Sequence, residues 1–198
     1  MDAIEAMETC RAMRWLKADP VPEELIRKVI RAATCASSPG NSQGWDFVVV
    51  RDAEQRRRIA ELFRAEVKPR LVPVAEGADG PRRLMSAGAH HLLDTFERVP
   101  VLIFVCGGVV YPPASPMELF VPAALYPAAQ NLIVAARALG LGTVFTTFHM
   151  LCEAKLRPIL GLPDGHRIQV TIPLGWPEKK FGPVKRKPID EVIHWERF

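Results

Sequence analysis

The chain has 198 residues, a hydrophobic fraction of 48%, and 26 lysines and arginines against 22 acidic residues. This length suits one domain, residues 1–198, and the apolar content predicts a buried core and excludes a disordered chain. The net charge of +4 is mild and its basic residues are dispersed, which argues against nucleic-acid binding and is compatible with an anionic small molecule.

The cysteines and the N-terminus bear on the cellular compartment. The four cysteines form no CxxC pair and have no histidines at zinc-binding spacing, so the sequence predicts reduced thiols, no metal and a cytoplasmic protein. The opening MDAIEAMETC is acidic and does not resemble a secretory signal. Val121–Leu139 is long and apolar, but its prolines and Arg137 favour a buried helix over a membrane span.

The first third of the chain predicts three helices and a strand. Ala3–Glu8 is a short helix, and Pro22 starts a second helix whose first turn carries two glutamates. Phe47–Val50 is a buried strand, and Ala53–Val67 is a charged amphipathic helix.

The polar loop Ala36–Gly44 lies between the second helix and this strand. Asn41 and Gln43 each offer a hydrogen-bond donor and an acceptor, which suits the edge of a ring bearing C=O and N–H groups. An ordinary surface turn is the alternative interpretation.

Residues 68–98 form a candidate lid. Lys68–Gly80 is irregular and rich in proline and glycine, and Pro81–Arg98 is predicted to be helical. A plain surface loop is the alternative for the irregular part.

The stretch after the most apolar helix is the strongest candidate site. A strand is predicted at Val101–Cys106, followed by the helix Ala123–Leu139, which Gly140 ends. Thr143–Thr147 reads as a buried strand with hydroxyls and backbone N–H groups beside glycines, which suits a flat heterocycle. A helix, turn and strand without a ligand is the alternative.

The end of the chain combines a compact unit with a cationic extension. A helix is predicted at Glu153–Leu160 and a strand at Arg167–Pro173. Residues 179–198 are a C-terminal extension rich in lysine and arginine, in which Arg186 is a candidate to fold back onto an anion. A solvated tail is the alternative.

Three long segments resemble the FMN-dependent nitroreductase family in order and spacing. They are CRAMRWLKADPVPEELIRKVIRAATCASSPGNSQGWDFVVV, AAQNLIVAARALGLGT and PLGWPEKKFGPVKRKPIDEVIHW. The TVFTTF run followed by LRPILGLP, and the KRKPID tail, are similar to the dehalogenase branch typified by iodotyrosine deiodinase.

The resemblance implies a fold and an activity. The fold is α+β, a mixed, mostly antiparallel sheet flanked by helices, in an intertwined homodimer with two FMN sites. The activity is ping-pong reduction of an electron-poor organic substrate by NADH or NADPH, with nitroaromatics, quinones and halogenated phenols as candidate acceptors. The chemistry belongs to the flavin, so no acid–base constellation is required.

The resemblance also implies the residues of the site. Arg11 and Arg14 hold the FMN phosphate and ribityl chain, Arg186 closes on the phosphate, and Ala12 occupies the position of a family serine. The residues assigned to the ring region are Ser37 and Ser38 from the other subunit, Asn41, Gln43, Phe145, Thr146 and Thr147. Thr147, through its hydroxyl or its backbone N–H, is the candidate catalytic residue near flavin N5.

Departures from the family pattern suggest two alternatives. Cys10 and Ala12 replace an arginine and a serine, which predicts weaker or retuned FMN binding. A flavin-sequestering or oxygen-directed protein is therefore one alternative, and an interaction protein without flavin is another. Residues 66–98 contain no tyrosine, so iodotyrosine itself is not the expected substrate.

Overall fold

Six α-helices and four strands are the main elements of the part of the chain that the computed structural model describes, residues 1–71 and 80–198. The helices are α1 (Ala3–Thr9), α2 (Glu23–Ala33), α3 (Ala53–Glu66), α4 (Gly80–Asp94), α5 (Phe120–Ala138) and α6 (Glu153–Leu160). The strands are β1 (Trp45–Val50), β2 (Val101–Gly108), β3 (Gly142–Thr143) and β4 (His166–Gly175).

The four strands form one sheet in the order β1-β2-β4-β3, and every neighbouring pair is antiparallel. The predicted α+β class, with a mostly antiparallel sheet flanked by helices, is confirmed. The sheet has a bulge where β4 passes from Ile168 to Val170 opposite Val105 and Cys106.

The central strand β2 divides the core into two halves because successive side chains of a strand point to opposite faces. Leu102 and Phe104 pack on the side of α3 and α6. Ile103 and Val105 pack on the side of α2 and α5. A strand buried on both faces must be apolar at every position, which is why this run was recognisable in the sequence.

Glycine ends α5, as predicted. The helix stops at Ala138, and Gly140 follows in the left-handed region with φ +79°. Its backbone N–H bonds to the carbonyl of Arg137 at 3.0 Å, which satisfies one terminal carbonyl of the helix.

The predicted strand Thr143–Thr147 is wrong beyond its first residue. Thr143 pairs with Leu174 and Thr146 pairs with Thr171 in the same register, which places Val144 opposite Pro173. Pro173 has no N–H to donate to the ladder, so the strand is interrupted and only Thr146 rejoins β4.

The predicted helix Pro81–Arg98 is shorter in the structure. α4 ends at Asp94, and Phe96–Arg98 forms a separate helical turn. The hydroxyl of Thr95 donates to the carbonyl of His91 at 2.8 Å, a local bond that competes with continuation of the helix. The predicted lid also includes residues 72–79, which lie outside the described residues.

Close contact between β1 and β2 requires glycine at position 107. A Cβ on Gly107 would lie 1.9 Å from the backbone oxygen of Gly44, so the two backbones would have to separate. We expect Gly107→Ala to lower the free energy of unfolding by about 2 kcal/mol in urea titrations. Gly80→Ala is the control, since a Cβ there meets no atom of the described residues within 4 Å. A loss no larger than that of the control would contradict this account.

None of the helices in the described part of the chain has both the length and the hydropathy that a membrane span requires.

Candidate functional site

Two segments from opposite ends of the chain run side by side. We call them the N-terminal segment, residues 8–17, and the C-terminal segment, residues 176–187. The backbone N–H of Val184 donates to the carbonyl of Glu8 at 2.9 Å, and two further backbone hydrogen bonds join the segments nearer to the sheet. The cations of both segments are therefore brought together.

A cavity of about 620 Å³ lies between these segments and α4, and we call it the cationic cavity. It has four cationic lining residues, Arg11, Arg14, Lys185 and Arg186. No carboxylate of the described residues lines it. Leu84 and Met85 of α4 add an apolar wall, so the cavity offers both charge and a hydrophobic surface.

A second cavity of about 320 Å³ adjoins the first, and we call it the threonine cavity. Phe145, Thr146 and Thr147 line it, and α4 contributes Ser86 to the lining. Arg14 lines both cavities, so a ligand that fills one of them reaches the edge of the other.

Arg14 is held in place by close packing. Gly88 of α4 allows this, because a Cβ there would lie 2.7 Å from Cδ of Arg14. Burial lowers the pKa of the half-buried Arg14 guanidinium, and in the described part of the chain no carboxylate pairs with it. An unpaired, partly desolvated cation favours an anionic ligand.

Thr146 and Thr147 have different environments. Thr146 is buried, and both its backbone N–H and its hydroxyl donate to the carbonyl of Thr171, at 3.0 and 2.9 Å. Thr147 is exposed, and neither its backbone N–H nor its hydroxyl has a partner in the described residues. Thr147 therefore has two free donors at the wall of the threonine cavity.

A buried histidine that the sequence analysis did not identify supports this wall. Nδ1 of His149 lies 3.1 Å from the hydroxyl of Thr171, the residue that also pairs with Thr146. Burial lowers the pKa of His149 to about 4, and a hydrogen bond to the Ile168 backbone acts in the opposite direction. The ring is therefore neutral near pH 7. In the sequence, His149 is a single histidine after an apolar run, and that pattern does not indicate that it supports the wall of the cavity.

The structure brings together some of the predicted site residues and separates others. Arg11, Ala12, Arg14 and Arg186 line the cationic cavity, and Phe145, Thr146 and Thr147 line the threonine cavity. The predicted residues that line neither cavity are Ser37, Ser38, Asn41 and Gln43.

These four residues lie in the loop between α2 and β1. The hydroxyl of Ser38 accepts from the backbone N–H of Gln43 at 2.9 Å and stabilises the turn. Asn41 and Gln43 both have positive φ values, 51° and 49°, a conformation that is uncommon outside glycine. Ser37, Asn41 and Gln43 are exposed, so the loop presents polar groups to the exterior of the single chain.

The sequence of the chain matches that of a known class of proteins. A sequence profile of the nitroreductase family matches residues 8–176, which is most of the chain. The chain therefore belongs to the nitroreductase family.

Individual relatives agree with this assignment. A presumed NADH dehydrogenase/NAD(P)H nitroreductase of Methanothermobacter thermautotrophicus is 30% identical over 204 residues, covering all of this chain and 88% of the relative. Iodotyrosine deiodinase 1 of Rattus norvegicus is 27% identical over 194 residues, covering 96% of this chain and 67% of the relative. The chain thus spans about two thirds of the length of that deiodinase.

A solved structure gives the same result at the level of the fold. It is that of a presumed nitroreductase from Desulfovibrio desulfuricans in complex with FMN. The two chains are 25% identical with a TM-score of 0.73, and the match covers 100% of this chain and 98% of the other.

Proposed function

We propose that the protein is an FMN-dependent oxidoreductase that reduces an electron-poor organic substrate with NADH or NADPH in a ping-pong reaction. Nitroaromatics, quinones and halogenated phenols are the candidate substrates. The observation that supports this most directly is the junction of the cationic and threonine cavities at Arg14. A small molecule that carries both a phosphate and a flat ring needs a cationic surface for the phosphate and, close to it, a surface such as that of the threonine cavity for the ring.

The residues present fit FMN. Arg11 and Arg186 would bind its phosphate, since guanidinium groups make charge-assisted and bidentate bonds with phosphate oxygens. Arg14 would reach the ribityl chain and the edge of the ring from its packed position against α4. The relative from Desulfovibrio desulfuricans was solved in complex with FMN, which supports the same cofactor here.

The flavin would supply the hydride chemistry, and the protein would position the reactants. Phe145 and Thr146 would lie along the ring, with Thr146 fixed by its bonds to Thr171. Thr147 would present its hydroxyl or its backbone N–H to N5. A hydroxyl bond at N5 would favour one-electron chemistry, and a backbone N–H alone would favour two-electron transfer.

A substitution at Thr147 distinguishes its hydroxyl from its backbone N–H. If the hydroxyl contacts N5, Thr147→Ala should lower the one-electron-reduced fraction of the flavin about fivefold in a reductive titration, the loss expected for one hydrogen bond. Thr147→Ser restores a hydroxyl and should recover most of that fraction. An unchanged fraction in Thr147→Ala would exclude the hydroxyl.

We also propose that the protein is a homodimer in which the α2–β1 loop completes the partner's site. Ser37, Ser38, Asn41 and Gln43 line neither cavity of their own chain. The exposed polar groups of Ser37, Asn41 and Gln43 suit the edge of a flavin in a second copy. Tyr126 of α5 is 44% exposed on a mostly apolar helix, which favours cover by another subunit. Analytical ultracentrifugation should give twice the mass of the chain, and a monomer that binds FMN fully would contradict this proposal.

Residues 68–98 would act as a lid within a single domain, and residues 179–198 as an extension that carries Arg186. Leu84, Met85 and Ser86 of α4 line the cavities, which supports the role of residues 68–98 as a lid.

The four free cysteines fit a reducing, cytoplasmic environment.

The cofactor is tested first by an absorption spectrum of the purified protein, before and after addition of FMN. Flavin bands, with FMN released on denaturation, are expected, followed by NADH or NADPH oxidation when a nitroaromatic acceptor is added. No bands and no FMN binding would overturn the redox assignment and favour an interaction protein without flavin.

One observation favours a second candidate, a protein that sequesters FMN or directs reduced flavin to oxygen. Cys10 and Ala12 line the cationic cavity at the positions where the resemblance implies an arginine and a serine. Burial raises the pKa of the Cys10 thiol, so this position contributes no charge near pH 7. Bound FMN without steady NADH or NADPH oxidation in the presence of an acceptor would support this alternative.

A further inference from the structure

A third cavity of about 130 Å³ adjoins the cationic cavity, and we call it the side pocket. Arg11 and Arg14 line it together with Lys179 and Lys180 of the C-terminal segment. No carboxylate of the described residues lines it. Four cations around so small a volume repel one another unless an anion lies between them.

The backbone fixes the two lysines at this place. The N–H of Glu178 donates to the carbonyl of Trp15 at 3.0 Å, and Pro177 forms a bridge with Leu16. Nζ of Lys179 lies 3.5 Å from the centroid of the Trp15 ring, a favourable cation–π distance. The position of the lysines at the side pocket therefore follows from the pairing of the N-terminal and C-terminal segments.

The number of charges exceeds what FMN requires. The cationic cavity and the side pocket together are lined by Arg11, Arg14, Lys179, Lys180, Lys185 and Arg186. A phosphate monoester carries about two negative charges near pH 7, so one FMN phosphate leaves a surplus of positive charge. The surplus positive charge is located at the side pocket, because Lys179 and Lys180 line the side pocket and do not line the cationic cavity.

We propose that the side pocket binds a phosphate group of the nicotinamide nucleotide that donates the hydride, an inference that rests on the proposed function. Phosphate offers several oxygens to donors from different directions, which suits two guanidinium groups and two ammonium groups. Arg14 lines the side pocket and the threonine cavity alike, so a nucleotide anchored in the pocket lies beside the site of the ring.

The test uses the FMN-loaded protein and the double variant Lys179→Gln/Lys180→Gln. Both lysines are exposed, and neither lines the cationic cavity. We expect the KM for the nucleotide to rise about tenfold, with kcat and the Kd for FMN unchanged. Lys187→Gln is the matched control, because Lys187 is an exposed lysine of the same segment that lines none of the three cavities.

A comparison of NADH with NADPH shows which phosphate group of the nucleotide binds in the side pocket. A rise in KM for NADPH alone would place the 2′-phosphate in the side pocket, and a rise for both NADH and NADPH would place the diphosphate there. An unchanged KM for both, or an equal rise in the Kd for FMN, would overturn the proposal. In the second case the lysines would serve the FMN phosphate.

A binding measurement separates this proposal from the proposed function. Adenosine 2′,5′-bisphosphate and ADP are titrated into the protein as purified, by calorimetry. We expect at least one of them to bind, with about tenfold lower affinity in the double variant. If neither NADH nor NADPH reduces the flavin, the proposed function is overturned. If neither adenosine 2′,5′-bisphosphate nor ADP binds, the role of the side pocket is overturned, whatever the rate of flavin reduction.

Discussion

Replacement of Arg14 by methionine is expected to raise the Kd for FMN about 100-fold. Arg14 lines all three cavities, and a hydrogen bond from a charged donor contributes about 1.5–3 kcal/mol. Methionine keeps the aliphatic stem that packs against Gly88, so the change removes charge with little loss of packing. FMN fluorescence quenching measures the affinity directly.

The same variant is expected to keep or gain stability in the FMN-free protein. The Arg14 guanidinium is half-buried without a carboxylate partner in the described residues, and removal of an unpaired buried charge relieves a desolvation cost. Urea titration of the FMN-free protein tests this. Arg14→Lys keeps the charge without the planar fork and should bind FMN with intermediate affinity. Arg31→Met, at an exposed position of α2, is the control. An FMN Kd within twofold of the wild-type value in Arg14→Met would remove Arg14 from the cofactor site.

The buried histidine predicts a marked loss of stability in acid. The pKa of His149 is lowered from 6.5 to about 4 in the folded protein, so between these pH values the unfolded chain binds a proton that the folded chain does not. Unfolding is therefore favoured as the pH falls from 6.5 to 4, and stability from this source is fully present above 6.5. A shift of this size corresponds to about 3 kcal/mol.

Urea titrations between pH 4 and pH 7.5 isolate this contribution when wild type is compared with His149→Gln. Carboxylates titrate in both proteins, so the difference in slope between them belongs to His149. His194→Gln, in the exposed C-terminal tail, should retain the wild-type slope. If His149→Gln does not fold, histidine resonances in the NMR spectrum of wild type supply the test. If all five histidines of the chain titrate with midpoints above pH 5.5, this account of His149 is contradicted.

Most of the helices and strands could be predicted from the sequence, because their signals are local. Pro22 and two glutamates define the start of α2, and Gly140 defines the end of α5. The unbroken apolar run of β2 identified a strand covered on both faces. The family resemblance assigned Arg11 and Arg14 to an anion site, and guanidinium chemistry agrees with that assignment.

Which residues from distant parts of the chain come into contact could not be predicted from the sequence, because it depends on the folded arrangement of the whole chain. Thr143–Thr147 has the composition of a strand, but Pro173 interrupts the ladder at the opposite position, and that position depends on the register of two segments far apart in sequence. The contact of His149 with Thr171 depends on the same register. Lys179 lies beside the N-terminal segment only because backbone hydrogen bonds join residues more than 160 positions apart. Local patterns specify helices and strands through short-range sterics and hydrogen bonds, whereas register and closure of the sheet arise from long-range packing that no short stretch encodes.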